Sequence, residues 1–165
     1  MLMKFLIYSG LVILLFSCAQ SSETEYLMAD MEVSGEFLFE GPNSLQGKLK
    51  NPMENISKEK GIDPAKIQSI YLKSCTVEFP DEESQSIVEN ILVQVVSDQL
   101  NLVSVATING IPESSPISIP GSAEQDILPY LKDQSSMLVL DANLKNDVDV
   151  LKCSVDFTLK ILYNN

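Results

Sequence analysis

Apolar and polar side chains alternate along most of this chain, and the alternation is sharpest over residues 148–163. There Leu151, Cys153, Val155, Phe157, Leu159, Ile161 and Tyr163 share one face, while Lys152, Ser154, Asp156, Thr158 and Lys160 share the other. A period of two held that long predicts a strand with one face in the core. Ile67 to Phe79 predicts a second long strand, whose apolar face changes sides near Lys73-Ser74, from Ile70 and Leu72 to Cys75, Val77 and Phe79. One extra residue in the ladder, a β-bulge, accounts for the change. Ile87 to Val96 is apolar on both faces and predicts a buried strand, which Asp98-Gln99 turns back through Leu100 to Ile108. Shorter strands are expected at Val33 to Glu40, ended by Gly41-Pro42-Asn43, and at Ile117 to Ile119, where Pro116 and Pro120 mark a sheet edge. Met137 to Leu144 is expected to form a hairpin with 148–163 around Asn146-Asp147, and Asn109-Gly110 carries a hairpin signal of its own.

Two short helices interrupt this pattern. Asn51-Pro52 has the residue types of a helix start, Met53 and Ile56 supply an apolar side, and Gly61 supplies a stop. Ser122-Ala123-Glu124-Gln125 has the form of a capping box ahead of Ile127, Leu128 and Leu131, with Pro129 limiting that helix. Asp81-Glu82-Glu83 is expected as a solvated loop. The sum is an all-β fold: an antiparallel β-sandwich of about seven strands with two short helices. An α+β fold with one curved sheet is the alternative. The domain is expected over residues 32–165, and the acidic stretch before it shows no sustained period and predicts a flexible tether over 18–31.

The first residues form a separate unit. Lys4 gives a positive start, Phe5 to Phe16 is free of charge, and a small residue, Ser17, precedes Cys18. That order marks an export signal over residues 1–17. As a helix the uncharged run would rise about 18 Å, against about 30 Å of hydrocarbon, so it is too short to span a bilayer. Leu15-Phe16-Ser17-Cys18 resembles the lipobox of bacterial lipoproteins, and the chain is similar in plan to small lipoproteins of Bacteroidota. The resemblance implies cleavage before Cys18, acylation of that cysteine with fatty chains such as palmitate, and a membrane anchor. Ala19, where an Asp would retain the protein, implies the outer membrane, and Glu23 and Glu25 resemble the acidic start of surface-export tethers.

Composition narrows the function by exclusion. The 165 residues carry a net charge of −12, and removal of 1–17 takes away Lys4 and leaves −13. Such a surface repels phosphate backbones, so no nucleic-acid partner is expected. The chain has no histidine and no tryptophan, and all 11 basic residues are lysines. A Ser-His-Asp or Cys-His nucleophile and a His general base are therefore excluded, as is the bidentate arginine grip on carboxylate or phosphate. No Gly-rich phosphate loop is present. No enzyme activity and no cofactor are expected.

Few residues remain as candidate sites. Cys75 and Cys153 both fall on inward faces, where they either pair as a disulfide in an exported protein or pack as small hydrophobes. Asp147 and Asp149, with Asp141 in the strand before them, are loosely placed calcium candidates at a hairpin end. The expectation is an envelope lipoprotein held to the membrane through acylated Cys18. Its β-domain would bind or scaffold an envelope protein or surface ligand without chemistry of its own. A carrier of a lipid or other hydrophobic ligand is the alternative, and it would need a connected apolar cavity.

Overall fold

The computed structural model describes residues 21–164. The expected signal peptide and Cys18 lie outside the described residues. Eight strands follow one another as β1 (Ser21–Leu38), β2 (Gly41–Lys48), β3 (Ile67–Glu78), β4 (Val88–Val96), β5 (Val103–Asn109), β6 (Ile117–Pro120), β7 (Met137–Leu144) and β8 (Val148–Asn164). All eight belong to one sheet, in the order β5-β4-β7-β2-β1-β8-β3-β6, and every neighbouring pair is antiparallel. The all-β expectation is met, but in a single sheet of eight strands rather than two packed sheets of about seven. The length of β1 and β8, 18 and 17 residues, explains the difference. Strands of about 55 Å cannot stay flat, and right-handed twist helped by bulges curls the sheet on itself. Its two edges meet where Ala106 bridges Gly121 and the Ser122 N–H donates to the Val105 carbonyl at 2.7 Å, so the sheet is a nearly closed barrel.

The alternating faces decide what lies inside. Val33, Leu45, Val77, Val93, Val155, Phe157 and Ile161 point into the barrel and are 0% exposed. The bulge predicted in β3 is present, as a register shift between Leu72 and Ser74 against β8. A second bulge was not foreseen. Between Met28 and Met31 the β1–β8 register shifts, Asp30 takes a left-handed φ of 58°, and the Asp156 carboxylate accepts the Asp30 N–H at 2.9 Å. Lys50 holds the same bulge by donating to the carbonyls of Ala29 and Asp30. Residues 21–31, expected as tether, are therefore the first part of β1. Tyr26 and Met28 face inward before the bulge, and Met31 and Val33 after it. Glu23 and Glu25 lie on the outer side, in ion pairs with Lys160 and Lys73 at 2.7 and 2.6 Å.

The expected last hairpin is also absent. β7 lies between β2 and β4, whereas β8 lies between β1 and β3, so residues 145–147 cross over the β1–β2 hairpin. Alternation says which side chains turn inward; it does not say which strand lies alongside. Three short helices close the ends. In α1 (Met53–Lys60) the Asn51 side chain accepts the Met53 N–H at 2.9 Å, Met53 and Ile56 are buried, and Gly61 ends the helix at φ 67°. α2 (Glu82–Ser86) stands where a loop was expected, started by the Asp81 carboxylate, which accepts the Ser84 N–H at 2.7 Å. α3 (Leu128–Lys132) begins later than the capping box implied, because the Ser122 N–H is engaged across the seam. Asp126 starts this helix instead, accepting from Leu128 at 3.0 Å and from Ile70 of β3 at 2.9 Å. The start of β1, α1 and α3 share one end of the barrel; the β1–β2 hairpin, residues 145–147 and α2 share the other.

Candidate functional site

The two inward cysteines are both free thiols. Cys75 stands opposite Phe157 in the β3–β8 ladder, and Cys153 lies four positions earlier along β8. That offset is about 13 Å of strand, against about 7 Å between the α-carbons a disulfide can bridge. The candidate bond between Cys75 and Cys153 is thus not formed, although both side chains do face the core as expected. Burial pushes the Cys153 thiol up to about 12. Cys75 is raised further, by burial first and by the neighbouring Cys153 and Asp156 second. Burial thus favours the protonated form of both thiols, which disfavours nucleophilic or redox chemistry at either. Reduction is expected to leave the intact mass unchanged. Alkylating reagents are expected to miss both thiols in the folded protein and to label both in denaturant; native labelling of either would overturn the packing described.

The calcium candidates do not converge. Asp141 lies on β7 and accepts the Ser44 hydroxyl of β2. Asp147 lies in the crossing turn and accepts the Glu40 N–H at 2.8 Å, and Asp149 belongs to β8, separated from β7 by two strands. Among the described residues no three His, Cys, Asp or Glu side chains are grouped to hold a metal ion. The Asp81 carboxyl is held below the usual range by the Ser84 N–H, which serves the start of α2.

Among the described residues the inward positions named above are packed tightly. A side chain with no surface that water can touch has no water-sized void beside it, and these positions are of that kind. Hollows are found between elements at the surface. One of about 670 Å³ crosses β8 between β1 and β3, with Val150, Lys152 and Ser154 as its floor and Glu32 and Glu78 at its sides. Another of about 760 Å³ runs between the β1 bulge and α1. Among the described residues no helix is long and apolar enough to cross a membrane.

The most distinctive surface is the tip of the β1–β2 hairpin. Phe37 is 75% exposed and Phe39 67%, with Val150 of the adjoining β8 at 46%. Phe37 holds a left-handed φ of 54°, a conformation that costs about 1–3 kcal/mol for a bulky residue. A clasp maintains it. The Asn43 side chain accepts the Phe39 N–H at 3.1 Å and donates to the carbonyls of Phe39 and Gly41 at 2.6 and 2.8 Å. Asp147 ties the next residue, Glu40, to the crossing turn. Glu36, Glu40, Asp147 and Asp149 are exposed around the aromatic pair. A hollow of about 300 Å³ separates the pair from Asp147 and Asp149. Alternation continued from Met31 and Val33 would turn Phe37 and Phe39 inward; the left-handed backbone at Phe37 reverses the parity, so Leu38 is buried and both aromatics face out. Comparison with protein-family models, with curated proteins and with solved structures found no match for this chain.

Proposed function

We propose that the protein is an envelope lipoprotein, anchored by acylated Cys18 in the outer membrane, whose β-domain binds or scaffolds another envelope component and catalyses no reaction. The anchor is supported by the lipobox-like Leu15 to Cys18, three residues ahead of the point where β1 begins. The observation that carries the binding role is the apolar surface held out at the far end of the same strand, Phe37 and Phe39. Binding without chemistry is further supported by a chain lacking histidine and arginine and by thiols that burial keeps protonated. Within this reading the domain is a flattened barrel whose facing walls pack as the layers of a sandwich do.

Intact-mass analysis of the protein extracted from membranes in detergent tests the anchor. The expected mass is that of residues 18–165 plus acyl chains. Cys18→Ala is expected to leave the signal uncut, abolish acylation and keep the domain folded. A mature-sized acylated species from that variant, or a bare chain from the native protein, would remove the anchor from the reading.

A further inference from the structure

We propose that the Phe37–Phe39 tip is a docking site for a partner protein whose surface carries an apolar pocket rimmed by lysine or arginine. The proposal rests on the binding role above and names its site and the chemistry of its partner. Two exposed phenylalanines on one hairpin tip are an apolar patch that water disfavours, and aromatic anchors of this kind dominate binding energy where a pocket receives them. The backbone is arranged to hold them out. Phe37 sits in a conformation that glycine would occupy without strain, and the Asn43 and Asp147 hydrogen bonds keep the chain there.

Charge selects the occupant. Glu36, Glu40, Asp147 and Asp149 surround the patch against one exposed lysine beyond Val150, Lys152, while Lys145 donates to the Ser86 carbonyl. An anionic membrane surface would meet this rim with repulsion, and so would a second copy of the same rim. A basic rim on a partner protein would complement it, adding orientation and speed of encounter to the apolar contact. Position agrees: β1 runs from Ser21, three residues after Cys18 in sequence, to Leu38 beneath the tip, so the patch lies at the opposite end of that strand from the proposed anchor.

The test places the photoreactive benzoylphenylalanine at Phe39, and separately at exposed Glu124 as a control, in the full chain in its native membrane. A protein adduct is expected from position 39 and none from 124. Its cross-linked segment, mapped by mass spectrometry, is expected to hold apolar residues beside lysine or arginine. Glu36→Lys combined with Asp149→Lys is expected to lower adduct yield about tenfold, a difference typical of losing charge complementarity at an interface. Phe37→Gly is expected to lower it similarly while leaving the melting temperature unchanged or raised, which separates docking from folding. Adducts to lipid alone, to a second copy, or to a segment without basic residues would overturn the proposal, as would no adduct or a yield indifferent to charge reversal. Fractionation of the same sample reports the anchor independently: a membrane-bound chain without adduct fails the tip and not the anchor, and an adduct on a soluble chain does the reverse.

Discussion

Gly121→Ala is expected to destabilise the protein by about 3 kcal/mol, the upper range for forcing a methyl group into packed structure. A β-carbon on residue 121 would lie 2.1 Å from the Leu72 carbonyl oxygen and 2.6 Å from its carbon. The obstacle is the backbone of β3, which cannot rotate aside as a side chain can. Relief requires residue 121 to withdraw, and two hydrogen bonds leave with it. One is its own N–H to Lys73 at 3.0 Å, and the other is the Ser122 N–H to Val105 across the seam. Loss of the second opens the junction between β5 and β6. Chemical denaturation measures the total, and hydrogen exchange locates it. Amides of β5 and β6 are expected to lose protection while those of β1 and β8 keep it. An alanine variant of native stability with a protected seam would contradict the closure described.

Phe157→Ala is expected to cost about 3–5 kcal/mol, the range for removing a buried aromatic ring. Phe157 is the largest of the fully buried side chains, and in the ladder it faces Met28 of β1 on one side and Cys75 of β3 on the other. The ring therefore joins strands from both flanks of β8. A lower urea midpoint with an unchanged slope would show that stability alone has changed. A variant within about 1 kcal/mol of the native protein would mean that the barrel collapses onto the gap more freely than its packing implies.

How much of this was legible in the sequence depended on whether a pattern ran long enough to outlast its own interruptions. The bulge in β3 could be read because Ile70 and Leu72 before it, and Cys75 to Phe79 after it, each showed a clear face. The bulge in β1 could not. Only Tyr26 and Met28 stand before it, among serines and acids, so half a strand looked like a tether. α2 has five residues and no apolar stripe, only an Asp cap, which reads equally well as a loop. Strand order was beyond reach, since Met137 to Leu144 and Val148 onward alternate as a hairpin would and yet lie two strands apart. For the candidate site, Cys75 and Cys153 were rightly placed inward, but their four-residue offset depends on register, which hydrophobicity does not encode. The aromatic tip was not within reach, because alternation from Met31 and Val33 turns Phe37 and Phe39 inward, and the left-handed backbone at Phe37 is what reverses it.

The pairing of β1 with β8 bears on how the molecule is made. Ser21 meets Asn164 at one end of that ladder and Leu38 meets Val148 at the other, and β8 also forms the main partner of β3. The centre of the sheet therefore joins segments from opposite ends of the described residues, and neither half can close a barrel by itself. Contacts between segments so far apart in sequence make for slow folding, on the order of milliseconds to seconds. In the export proposed above, such delay would favour crossing a membrane before folding. The domain locks only when β8 takes its place between β1 and β3.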